Sequence, residues 1–284
     1  MMAPQLSSEV SEAVWKAIEE EQRRTGESLA VVVDRALAAG LEVESHTIFQ
    51  VSTSNALVQG VFRGAVTVRD LSDHGDMGLG TFDGLDGELI LIDGISFRAS
   101  FGGAVNVADD GARVPFAVIT RFHSDVHATI DEGCTLAGLT EVLDRLRPSE
   151  NLFAAIRGEG RFEELSLRAA CPAAPEEGLL EAVRHQSEFS VSRVEGTLVG
   201  FWSPIYAGAV NIPGYHFHFI AADRSLGGHV LDLEAKGLDV AVQVESELHL
   251  VMPDTPEFLR ADLTGRHEAA LHQAETASRA QDRG

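Results

Sequence analysis

Gly214-Tyr215-His216-Phe217-His218-Phe219, followed after a short polar stretch by Gly227-Gly228-His229, is the segment that decides how this chain is read. In a β-strand successive side chains point to opposite faces, so His216 and His218 share one side while Phe217 and Phe219 point into a core. The intervening Asp223-Arg224-Ser225-Leu226-Gly227-Gly228 is rich in turn formers, and His229-Val230-Leu231-Asp232-Leu233 resumes an extended apolar pattern. A hairpin reversing near Asp223 and Arg224 sets His229 opposite His218, and directly opposed residues share a face about 5 Å apart. Three imidazoles then converge. Three protein ligands with a free position are the pattern of a catalytic zinc site, whereas structural zinc is usually closed by four. The plainer alternative, two exposed histidines on the polar face of a strand, is disfavoured by the third histidine and by the glycines that allow close backbone approach. His123 and His127 would need a helix to meet, and their segment has no helical stripe, so they are left outside the site.

Outward from the hairpin, the texture is mostly β. Ala56 to Phe62, Ala65 to Val68, Glu88 to Ile92, Ile95 to Arg98, Gly196 to Phe201, Tyr215 to Ala221, His229 to Leu233 and Leu238 to Leu250 read as strands, with turns at Gly84 and Asp93-Gly94. In the last of these strands Leu238, Val240, Val242, Val244, Leu248 and Leu250 fall on one face. Leu136 to Leu146, Gly178 to Gln186 and Pro256 to Arg279 read as helices. The first 45 residues differ: Ser8 or Ser11 caps one helix that stops at Thr25-Gly26, and Ser28 caps a second that stops at Gly40. The pair resembles the helical half of a ribbon-helix-helix repressor. It lacks the basic strand of such proteins and carries more acid than base, so it reads as a docking or dimerisation appendage. The expected fold is α+β, with two β-rich halves of mixed sheets and flanking helices plus an N-terminal helical appendage. The corresponding segments are 1–45, 46–190 with its helical connection, and 191–284 with the metal site and a C-terminal helix.

Composition bounds the function. The 284 residues carry a net charge of -22 and are 44% hydrophobic, which fits a soluble globular protein. The acidic excess argues against nucleic-acid and anionic-membrane partners, which need clustered Lys and Arg. No segment approaches the roughly 20 apolar residues of a membrane-spanning helix, and Met1 to Gln22 lacks the flank and core of a signal peptide, so the cytoplasm is the expected compartment. Cys134 and Cys171 are too few for a disulfide framework and read as incidental or buried thiols.

Several separate stretches together resemble the alpha-acetolactate decarboxylase family: Ile48-Phe49-Gln50-Val51-Ser52-Thr53, Asn55-Ala56-Leu57, His74 to Phe82, Leu85-Asp86-Gly87-Glu88-Leu89-Ile90, Pro115-Phe116-Ala117, Gly196 to Pro204 and the histidine hairpin. The resemblance runs from residue 47 to about 275. It implies a zinc enzyme that converts 2-acetolactate to acetoin and carbon dioxide, with His216, His218 and His229 as ligands. By the same carry-over Glu88 is an active-site carboxylate, Thr81 lines the pocket, Arg168 is the active-site arginine, and Glu275 is the C-terminal glutamate. Arg168 suits a substrate carboxylate through paired hydrogen bonds, and a buried glutamate suits proton return to carbon. Glu275 is the favoured proton donor, with Glu88 on the metal or hydroxyl side. Val114 before Pro115 and Ala170-Cys171-Pro172 after Arg168 depart from the family pattern, which bears on pocket shape. A homodimer is expected. Taken singly, each of these residues has an ordinary reading: Glu88 as a solvated strand residue, Arg168 as a surface cation, Glu275 on an exposed helix, Thr81 as a turn hydroxyl. The competing function is a non-catalytic metal or small-molecule sensor with assembly helices, and the joint presence of Glu88, Arg168 and the histidines favours the enzyme.

Overall fold

The computed structural model describes residues 6–26, 28–40, 46–174, 177–265, 270–271 and 273–274. Two units are distinct, Met1–Ser45 and His46–Gly284. In the first, helix α1 (Glu12–Thr25) is capped by the Ser11 hydroxyl, which accepts from the Val14 N–H, and ends where Gly26 takes φ 75°. Helix α2 (Leu29–Gly40) follows, with the Ser28 hydroxyl accepting from the Val31 N–H.

The second unit holds helices α3 (Ser54–Val58), α4 (Val68–Ser72), α5 (Leu136–Leu146), α6 (Leu179–Ala182) and α7 (Pro256–Arg260). Its strands are β1 (Thr47–Val51), β2 (Val66–Thr67), β3 (Met77–Thr81), β4 (Glu88–Ile92), β5 (Ile95–Ala99), β6 (Val105–Val107), β7 (Arg113–Val114) and β8 (Phe116–Thr120). They continue as β9 (Val126–Ile130), β10 (Cys134–Thr135), β11 (Phe153–Ala169), β12 (Ser187–Ser203), β13 (Gly214–Ala221), β14 (Gly227–Glu245) and β15 (Glu247–Val251). One seven-stranded sheet runs β15-β1-β8-β3-β4-β5-β6, and β15 lies parallel to β1 while the other pairs are antiparallel. A six-stranded sheet runs β10-β14-β11-β12-β13, with β9 also on β14. Because β13 pairs back onto β14, the second sheet closes on itself. Phe162, Leu165, Leu198, Phe217, Phe219 and Val240 pack its interior, and Leu79, Ile90, Phe116, Phe201 and Ile220 belong to the core formed with the first sheet. This mixed architecture is the α+β class expected.

Several local readings are corrected. Ala56 to Phe62 is not a strand: the Thr53 hydroxyl accepts from the Ala56 N–H and starts α3, which ends before Gly60 at φ 77°. Ala65 to Val68 holds only the two-residue β2, because Thr67 and Asp70 form a reciprocal capping box that turns Val68 into the first residue of α4. The alternation from Leu238 to Leu250 spans two strands in different sheets. At Ser246 the chain leaves the second sheet, the Ser246 and Glu247 N–H groups both donating to the His46 carbonyl, and Leu248 is exposed on β15. The region near 135–190 contains, besides α5 and α6, the 17-residue β11, whose glycines and charges hide its period; a side chain at Gly160 would meet the Gly237 carbonyl oxygen at 2.5 Å. The expected boundary at 190/191 falls inside β12, which pairs with β11 along its length. Of the tail helix, the described residues show α7 and helical residues 270, 271, 273 and 274, with 261–265 irregular. Among the described residues no helix is long and apolar enough to cross a membrane.

Glu245 closes β14 in a fully buried position. One carboxyl oxygen accepts from Gln243 Nε2 at 2.9 Å, and among the described residues the other has no hydrogen-bond partner. Burial pushes this carboxyl up from 4.5 to about 7, outweighing the lowering by Thr120, His46 and Gln243, and Asp125 adds to the rise. The folded state therefore holds the proton more tightly than the unfolded chain, so folding stability falls as pH rises from 4.5 through about 7. Glu245→Gln keeps the acceptor and cannot ionise. It is expected to stabilise the fold at pH 8 by up to about 3 kcal/mol and to change little at pH 4.5, as read from denaturant unfolding at the two pH values. An equal effect at both would contradict the assignment.

Candidate active site

The β13–β14 hairpin forms because its turn is chemically defined. Arg224 takes φ 61°, its N–H donating to the Ala221 carbonyl, and Asp223 Oδ1 accepts from the Ser225 N–H and hydroxyl at 3.0 and 2.6 Å. The register that follows pairs His218 with His229 directly, Phe219 with Gly228 and Ile220 with Gly227. Gly228 is required by close approach, since a Cβ there would lie 2.5 Å from the Arg168 carbonyl oxygen. On its other side, His229 pairs with Arg168 of β11. Thus β14 carries His229 between a second histidine and an arginine.

His216, His218 and His229 are buried, and one nitrogen from each lies within 4.8 Å of the others. His216 Nε2 faces His229 Nδ1 at 3.0 Å. Two Zn–N bonds of about 2.0–2.1 Å at a tetrahedral angle would separate their nitrogens by roughly 3.3 Å, so the spacing suits a small divalent ion. His218 Nδ1 lies 2.9 Å from the Leu89 carbonyl oxygen, to which it donates; that fixes the tautomer and leaves Nε2 as the coordinating atom. Burial, together with the Arg168 charge, holds the His216 imidazole down at about 3. His218 is likewise held well below the usual imidazole range by burial, then by His216 and Arg168, with the Leu89 contact opposing. Both rings are therefore neutral at ordinary pH, the form that binds metal.

The first sheet supplies the facing wall. Glu88 opens β4 opposite Thr81 of β3, and both are buried. Glu88 Oε1 accepts from the Ala170 N–H at 3.1 Å, and Oε2 lies 3.7 Å from His218 Nε2. The Thr81 hydroxyl donates to the Gly87 carbonyl at 2.9 Å, so it braces the turn that presents Glu88. Buried Arg168 donates from Nη1 to the Ala274 carbonyl. A cavity of about 60 Å³ is lined by all three histidines, Thr81, Glu88 and Arg168. Six of the seven residues singled out in the sequence thus meet at one cavity; Glu275 lies outside the described residues. His123 and His127 are exposed and elsewhere, with the Ser124 hydroxyl 2.5 Å from His127 Nε2. Sequence reading missed Leu179, Ala182, Val183 and Gln186 as lining residues, although their helical spacing in Gly178 to Gln186 was a usable signal. Cys171, read as an incidental or buried thiol, is half-buried on the same cavity.

His218→Ala is expected to drop the bound divalent metal from about one ion per chain to under a tenth after dialysis, measured by elemental analysis, with the unfolding midpoint as the folding control. Undiminished metal in a folded variant would place the ion elsewhere.

The family model described as alpha-acetolactate decarboxylase matches residues 48–265. An alpha-acetolactate decarboxylase of Methanosarcina mazei is 40% identical over 232 residues, 81% of this chain and 81% of its own. The one from Bacillus subtilis strain 168 is 37% identical over 217 residues, 76% of this chain and 85% of its own. A crystal structure of the enzyme from that strain superposes with a TM-score of 0.79 at 35% identity, covering 82% of this chain and 100% of its own.

Proposed function

This chain belongs to the alpha-acetolactate decarboxylase family, and we propose that His216, His218 and His229 hold a zinc ion beside which Arg168, Glu88, Thr81 and Glu275 serve the substrate. It is a carboxy-lyase that decarboxylates 2-acetolactate to acetoin and carbon dioxide. The observation that carries the site assignment is the β14 register, which sets His229 between His218 and Arg168.

Zinc would supply Lewis acidity, drawing electron density from substrate oxygens as the bond to the carboxyl carbon breaks. The residues do the rest. The Arg168 guanidinium binds the substrate carboxylate through parallel N–H donors. When the bond breaks, its electron pair stays on carbon 2 and spreads toward the ketone oxygen, and carbon dioxide leaves. Glu88, fixed at Oε1 by the Ala170 N–H, has Oε2 turned toward His218 and accepts from the substrate hydroxyl. Glu275, protonated, gives its proton to carbon 2 and is recharged from solvent. In support, it directly follows Ala274, whose carbonyl accepts from Arg168. The apolar lining keeps water from competing for that carbon. The enzyme works in the cytoplasm as a homodimer, and its N-terminal helices serve assembly rather than chemistry.

Incubation with racemic 2-acetolactate is expected to give chelator-sensitive acetoin that zinc restores; acetoin at only the spontaneous rate would sink this reading. Arg168→Lys should lower kcat/KM by roughly 10–100-fold, because a point charge replaces a planar fork. Removing residues 1–45 should change the number of chains per particle measured by light scattering while leaving kcat within about twofold. A folded truncation without turnover would show that the appendage acts in catalysis.

A further inference from the structure

The cavity lining comes from two kinds of element: the strands contribute the histidines, Glu88, Thr81 and Arg168 together with Gly80 and Phe116, and α6 with the 3-10 turn Val183–His185 that continues it contributes a mostly apolar set. Leu179, Ala182, Val183 and Gln186 all line the cavity. The three- and four-residue spacing of Leu179, Ala182 and Val183 puts them on one helical face, and Gln186 follows at the end of the 3-10 turn. Leu179, Ala182 and Gln186 are buried there, and the stripe becomes polar only at Gln186, whose Nε2 donates to Glu188 Oε1 at 3.2 Å. Leu57 of α3 extends the apolar surface.

A 2-hydroxy-3-keto acid has its carboxylate, hydroxyl and ketone at one end, and these claim the strand wall. Its alkyl group on carbon 2 is left for the helical wall. We infer that the α6 stripe is the specificity wall for that alkyl group, and that Ala182, the smallest side chain in it, sets the length accepted. The inference rests on the decarboxylase reading for the identity of the substrate, and on the cavity alone for the location of the wall. Ala182 lines the cavity between Leu179 and Val183 and carries the shortest side chain of the three. Enlarging Ala182 shortens the alkyl group that fits, and trimming Val183 lengthens it.

The test uses the metal-loaded full chain and the variants Ala182→Val, Ala182→Leu and Val183→Ala. It measures kcat/KM for 2-acetolactate and its ethyl homologue 2-aceto-2-hydroxybutyrate. Alongside, calorimetry gives Kd for two unreactive acids that differ by one methylene, 2-hydroxyisobutyrate and 2-hydroxy-2-methylbutyrate. Enlarging Ala182 is expected to lower kcat/KM for the ethyl homologue roughly tenfold more than for acetolactate, the usual range for one methylene in an apolar pocket, with the acids shifting in the same order. Val183→Ala should move both ratios the other way. Ratios unchanged in all three variants, or equal losses for short and long ligands, would overturn the wall. A chain that makes no acetoin yet separates the two acids by length would uphold the wall and overturn the decarboxylase reading.

Discussion

The pairing of His218 with His229 across β13 and β14 is the constraint on which the site depends. It closes the second sheet, and the same strand, β14, then carries Arg168 of β11 alongside His229 through the register on its other edge. A shift of one residue in either pairing would turn the ligands toward the opposite face. The register is protected by close approaches that only glycine permits, at Gly227 and Gly228, and by the large apolar side chains of Phe217 and Phe219 on the reverse face.

The two sheets divide the chemistry between them. The second sheet provides the nitrogen donors and the cation; the first provides Glu88 and the Leu89 carbonyl that orients His218. Contacts at 2.9 to 3.7 Å tie the two at the cavity floor, with the Ala170 N–H holding Glu88 from the end of β11. In a protein of net charge -22, burial and the Arg168 charge keep His216 and His218 neutral, which favours metal over proton at their ring nitrogens.

The hairpin was legible because period-two alternation and a polar turn specify both face and register, so three histidines could be placed from spacing alone. Glu88, Arg168 and Thr81 came only through family resemblance: nothing local to Leu85-Asp86-Gly87-Glu88 or Ser166-Leu167-Arg168 reveals that they meet, since the two segments lie in different sheets and come together through tertiary packing, at the Ala170 N–H to Glu88 contact. The strand reading of Ala56 to Phe62 failed because the Thr53 cap outweighed the propensity of an apolar run, and Thr67 with Asp70 did the same for Val68. Strand β11 was hidden by Gly158 and Gly160 and by the Arg157, Glu159 and Arg161 that alternate with them, residues whose place in a sheet is set by their neighbours rather than by themselves.

X-ray absorption at the zinc edge of the purified protein tests the proposed centre most directly. Three imidazole nitrogens at about 2.0–2.1 Å with further oxygen and no sulfur is the spectrum expected. A sulfur shell near 2.3 Å, or fewer than three imidazoles, would contradict the convergence of His216, His218 and His229 on one ion.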